Sequence, residues 1–127
     1  MPSGDARRNG FTLVELLVVL SIVALLLTIA TPRYFKNVQR AKESALRRDL
    51  DTMRESLDKF YGDNGRYPEN LEQLVKSKYI KKIPVDPITE KSTTWLLIQA
   101  EPPLEGIEDI HSGAVGYGED ETRYGDW

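Results

Sequence analysis

Gly10-Phe11-Thr12-Leu13-Val14-Glu15 opens an apolar run that continues to Ala30. From Phe11 to Thr31 there is one charge, Glu15, and neither Gly nor Pro. As a helix this stretch spans roughly 30 Å, the thickness of a bilayer's hydrocarbon core. A carboxylate inside such a span costs about 3 kcal/mol on insertion scales, so Glu15 calls for a function.

Around this stretch the rest of the chain divides. Met1 to Gly10 is short and polar, with Arg7 and Arg8 near its end. A secretory signal peptide would place a small-residue cleavage site after its apolar core. Here the small residue, Gly10, stands before the run, so a cut there removes the charged leader and keeps the hydrophobic helix. Downstream of Thr31 fewer than 100 of the 127 residues remain, enough for one small core. No Cys is present, so no disulfide supports that core.

The motif of basic residues, Gly10, Phe11 and Glu15 at the head of an apolar helix resembles the class III signal of type IV pilins and type II secretion pseudopilins. The resemblance implies cleavage between Gly10 and Phe11 by a prepilin peptidase and N-methylation of the new Phe11 amine. Glu15 lies four residues beyond that amine and so on the same helix face. A buried ion is tolerable when paired. Glu15 can pair with its own amine or with a neighbour's, and the resemblance favours the neighbour, which would set the register of a filament. Pro32 stands where the family carries a Pro, and a kink or local melt is expected near Ile29 to Pro32. The flanking charges disagree with this topology. Arg33, Lys36, Arg40 and Lys42 outnumber Arg7 and Arg8, which by charge bias alone puts the C-terminal part in the cytoplasm. The cleavage motif overrules this bias, because the leader must face the peptidase.

Beyond Pro32, Phe35, Val38, Ala41, Ala45, Leu46, Leu50, Met53, Leu57 and Phe60 recur at helical spacing. This predicts one helix from Phe11 to Tyr61, ending near Gly62 with an amphipathic second half. Asn70-Leu71-Glu72-Gln73 reads as a capping box opening a short helix over Leu71 to Lys76. Trp95 to Gln99 and Ile107 to His111 read as strands of a small antiparallel sheet. The fold class expected is α+β: a long N-terminal helix, transmembrane then amphipathic, packed against a small β-sheet head. The expected divisions are a leader over 1–10, a transmembrane and assembly helix over 11–31, and a stalk with soluble head over 32–127.

Tyr61, Asn64-Gly65-Arg66-Tyr67-Pro68, Leu71, Leu74, Tyr79-Ile80 and Ile83-Pro84-Val85-Asp86-Pro87 resemble, in that order, the head of G-type major pseudopilins. This implies a structural subunit of a type II secretion pseudopilus, found in the bacterial inner membrane with its head in the periplasm. The implied partners are other copies in a helical filament, the prepilin peptidase, the inner-membrane secretion platform and minor pseudopilins. The runner-up is a type IV pilin of a surface fibre, and a membrane-anchored module that never polymerises is a third reading. Many such pilins close a C-terminal loop with a disulfide, which this chain cannot form. The family also holds a structural calcium ion near its C-terminus. Here Ser112, Glu119, Asp120 and Asp126, with loop carbonyls, are the candidate ligands. The family's Asp-Gly steps are not matched, since Gly116-Tyr117 and Glu121-Thr122 stand nearby instead.

Charge is uneven. Arg33 to Lys82 carries 13 Lys/Arg against 8 Asp/Glu, and Glu101 to Trp127 carries 8 Asp/Glu against one Arg. Two solvated faces are one reading; one subunit's acidic tail against another's basic stalk is the other. The acidic tail argues against nucleic acid as its partner. An enzyme is the weakest reading: His111 is the single His, and neither Cys nor a Gly-rich phosphate loop accompanies it.

Overall fold

The computed structural model describes residues 10–127. The expected leader therefore lies outside the described residues except for Gly10. Two compact units divide at Val38/Gln39.

A single helix, α1, runs over Leu13–Asn64. It starts two residues later than the sequence predicts because Thr12 caps it. The Glu15 amide donates to Thr12 Oγ1 at 3.1 Å, and Glu15 Oε2 accepts from the Thr12 amide at 3.4 Å. Thr12-x-x-Glu15 is thus a capping box, and Phe11 stands outside the first turn. The helix continues unbroken through Ile29 to Pro32, so the expected local melt is not seen. Pro32 has no amide to offer the Thr28 carbonyl. Beside it, the Thr28 and Thr31 hydroxyls donate back to Ala24 O at 2.8 Å and Leu27 O at 2.6 Å.

At its other end α1 passes through Gly62 and stops at Asn64. Gly65 adopts φ 69° and donates to Tyr61 O at 2.8 Å. That left-handed residue just past the helix is the stop signal, and only Gly adopts it freely. Gly62 was the wrong glycine because an ordinary helical residue can occupy its place.

The core belongs to the second unit. Leu46, Leu50, Met53, Leu57 and Phe60 recur at alternating steps of four and three and are buried. The upstream part of the predicted stripe is not: Phe35 and Ala41 are exposed and Val38 is half-buried. The buried face instead begins at Glu43. Helix α2, Leu71–Lys76, adds Leu71 and Leu74. Its N-cap is Asn70, whose Oδ1 accepts from the Gln73 amide at 2.9 Å. Gln73 Oε1 reaches back to the Glu69 amide at 2.8 Å. Strands β1, Leu96–Gln99, and β2, Ile107–His111, pair antiparallel, with Leu96 opposite His111. Trp95 precedes β1 rather than opening it; it is buried, with Nε1 donating to Pro84 O at 2.9 Å. Ile107 and Ile110 of β2 complete the core with α1 and α2. Just before β2, Gly106 has φ 99°, and a Cβ there would fall 2.6 Å from Tyr67 O. The close approach lets Ile107 donate to Pro68 O at 2.8 Å, tying β2 to the Tyr67-Pro68 turn.

Candidate functional site

Two regions carry the functional residues, one in each unit. In the first, Phe11 is exposed, and so is every large apolar side chain from Leu13 to Ile29. An 18-residue window here has a mean hydropathy of 2.8, and none of it is buried. A helix apolar on all sides requires lipid or other helices around it. By length and composition it can cross a membrane. Glu15 stands in its first turn, where a carboxylate complements the positive end of the helix dipole. Its capping partner could have been found in the sequence, since Thr or Ser three residues before Glu ahead of an apolar run is the capping-box pattern. Gly10 and Phe11 are adjacent to this cap on its open side. Pro32 lies inside the helix, further along the same unit.

The second region joins α1 to the C-terminal segment. Arg40 Nε meets Glu119 Oε2 at 2.8 Å, and Arg47 Nη2 meets Asp120 Oδ2 at 2.9 Å. The acidic tail therefore neutralises the basic helix of its own subunit, which is a third arrangement beside the two drawn from charge alone. Arg47 also lies 3.7 Å from the centroid of the Trp127 ring. Between the two arginines, buried Glu43 accepts from the Glu119 amide at 3.1 Å and from the Tyr124 hydroxyl at 2.9 Å. Gln39 Nε2 donates to the same hydroxyl at 2.6 Å. Burial, then the Glu43 carboxylate, pushes the Tyr124 phenol up. The sequence reading missed Glu43. A charge set three residues before Leu46, in phase with the apolar stripe, was the available clue.

The four candidate calcium ligands do not converge. Ser112 is buried and donates to Asp86, itself buried and accepting from the Ile88 amide at 2.8 Å. Glu119 and Asp120 face Arg40 and Arg47. Asp120 also accepts from the Thr122 hydroxyl at 2.6 Å, and that bond is the main reason its carboxyl titrates below the ordinary value. Asp126 faces Arg123 at 3.4 Å. Among the described residues no group of three or more His, Cys, Asp or Glu side chains is gathered as a metal site. As placed, these residues do not fit a calcium ion. His111 is half-buried beside Asp109 at 3.5 Å.

Comparison with known proteins bears on both regions. The prokaryotic N-terminal methylation motif matches residues 5–31. The chain is 30% identical to the type II secretion system core protein G of Klebsiella pneumoniae, over 95% of each chain. It is 28% identical to the core protein G of Pseudomonas aeruginosa, over 95% of this chain and 96% of that one. A type IV major pilin of Neisseria gonorrhoeae is 30% identical over 65% of this chain and 50% of the pilin. No solved structure matches the chain. Similarity at this level, running through the apolar helix and the head alike, means that the chain belongs to the type II secretion system core protein G family.

Proposed function

We propose that this protein is the structural subunit of a type II secretion pseudopilus, held in the cytoplasmic membrane and polymerising through its N-terminal helix. The observation that carries the reading is the helix from Leu13 to Ile29, apolar on every side and exposed along its length. In the membrane, lipid covers it; in a filament, the same face is covered by copies of itself. Glu15 is the single charge in that surface. Prepilin peptidase cuts after Gly10, and the Phe11 amine of one subunit then meets Glu15 of another. Pairing removes two poorly solvated charges at once and fixes the axial step between neighbours. The capping box holds the carboxylate in the first turn, near the new terminus. Pro32 leaves the Thr28 carbonyl without its helical partner, a place where the helix can adjust during packing.

Most of the relatives named for secretion match almost the whole chain, whereas the pilin matches cover about two thirds of it. This favours a secretion filament over a surface fibre. The head of the subunit stands outside the cytoplasm, and its role is mechanical, with no catalytic step. A topology reporter placed after Trp127 tests that orientation against the charge bias.

Glu15→Ala, expressed with prepilin peptidase, separates processing from assembly. Terminal sequencing is expected to find Phe11 as the new N-terminus in both wild type and variant. Cysteine pairs engineered near Phe11 and Glu15 should cross-link wild-type subunits into ladders, and those ladders should disappear in the variant. Normal ladders in Glu15→Ala would refute the pairing role.

A further inference from the structure

Arg40, Arg47 and Arg54 are spaced seven residues apart, two helical turns each, and so share one face of α1. All three reach the C-terminal segment. Arg40 and Arg47 hold Glu119 and Asp120. Arg54 donates from Nε to Asp109 Oδ1 at 2.9 Å and from Nη2 to Ile110 O at 2.8 Å and the Trp127 carbonyl. Glu43, set on the same side between the first two, takes the Glu119 amide and the Tyr124 hydroxyl. The loop itself is closed by Gly118 donating to Thr122 O at 2.8 Å and by Trp127 Nε1 donating to Thr122 Oγ1 at 2.6 Å.

We propose that this arginine ladder closes the C-terminal loop of the protein without a metal ion, so that the loop's stability does not depend on calcium. Two observations carry this. First, the carboxylates that would face a cation each face a guanidinium: Glu119, Asp120 and Asp126 meet Arg40, Arg47 and Arg123. Calcium needs several oxygen ligands, and to gain these it would have to displace the three guanidinium groups already paired with them. Second, the cavity between β1 and the loop is lined by Ser112, Val115, Gly116 and Gly125, and its one charged side chain is Arg123. No carboxylate lines it among the described residues, so a calcium ion would find no anionic ligand there. Exposed ion pairs are individually weak. Here they are joined by a buried carboxylate, a bidentate backbone clamp and a guanidinium over an indole, which together act as a network.

Hydrogen–deuterium exchange of the peptide 112–127 in the full chain, held in detergent micelles, tests the proposal. Exchange in millimolar calcium and in EGTA is expected to be the same to within about twofold. Arg47→Met keeps the stem but removes the charge, and should speed exchange of this peptide by about tenfold. Arg40→Glu should speed it about threefold, and Arg40→Glu with Glu119→Arg should return it near the wild-type rate. Three results would overturn the ladder: calcium slowing wild-type exchange tenfold or more, Arg47→Met exchanging like wild type, or the charge-reversed pair exchanging like the single variant. If a single variant proves unfolded, the calcium comparison on wild type and the reversed pair still decide the matter.

Discussion

Asp49 shows how a single residue's surroundings oppose its charge. It is half-buried on α1, and its carboxyl is raised above the ordinary 3.8, first by burial and then by the nearby Asp86 carboxylate. Asp86 cannot move away, because it is buried and held by Ser112 and by the Ile88 amide. A carboxyl raised in the folded state binds its proton more tightly there than in the unfolded chain. This group therefore costs folding nothing at low pH, where it is protonated in both states. A penalty grows as pH rises from the unfolded value through the raised one, and above that it stays constant. Asp49→Asn removes the penalty. Thermal unfolding should show the variant more stable than wild type at pH 7, by at most about 1 kcal/mol for a partly solvated charge. Below the ordinary carboxyl value the difference should vanish; a gain unchanged at low pH would mean that charge is not its cause. Asp120 titrates the other way. The Thr122 hydroxyl, ahead of the other causes, lowers its carboxyl, so its contribution holds at neutral pH and is lost only as pH falls through that lowered value.

At the scale of elements, periodicity made the strands, the short helix and most of the long one legible. The limits of α1 were less so, because both depend on one residue's backbone or side chain rather than on a repeating pattern. Thr12 and Glu15 bond each other and move the start from Phe11 to Leu13. Gly62 and Gly65 look alike in the sequence, and only Gly65 takes a positive φ. The two glycines therefore respond oppositely to the same change. Gly62→Ala sits in a helical turn with no atom within 4 Å of the new Cβ, and should stabilise the fold by about 1 kcal/mol. Gly65→Ala must hold a methyl-bearing residue at φ 69°, and should destabilise by about 1 kcal/mol. Chemical denaturation of the two variants measures both; equal effects would place the helix end elsewhere. The apolar stripe failed upstream for a related reason. Periodicity locates a face, but Phe35 and Ala41 are exposed, and the buried part starts only at Glu43, which the Tyr124 hydroxyl satisfies.

For the molecule as a whole, the leader motif and the order of the head blocks made the family legible before any coordinate. The C-terminal segment was not, because its carboxylates read equally well as metal ligands or as partners for arginines some 70 or more positions away. Only the fold brings Arg40 to Glu119 and Arg47 to Asp120. The same separation of roles predicts how the chain can be divided. Every residue of the buried core, from Leu46 to Tyr124, lies in the unit Gln39–Trp127, and so do all three arginines of the ladder. The apolar segment from Leu13 to Ile29 contributes no buried side chain among the described residues. A fragment of residues 39–127 thus retains its complete core and its closed loop while losing the surface that needs lipid. It should be soluble without detergent and melt cooperatively, followed by the fluorescence of Trp95 and Trp127. Removing a segment that buries nothing leaves the unfolding free energy almost unchanged, so its midpoint should lie within about 5 °C of the full chain's in detergent. Non-cooperative melting, with hydrophobic dye binding in the cold, would instead mean that the core needs support from the N-terminal segment.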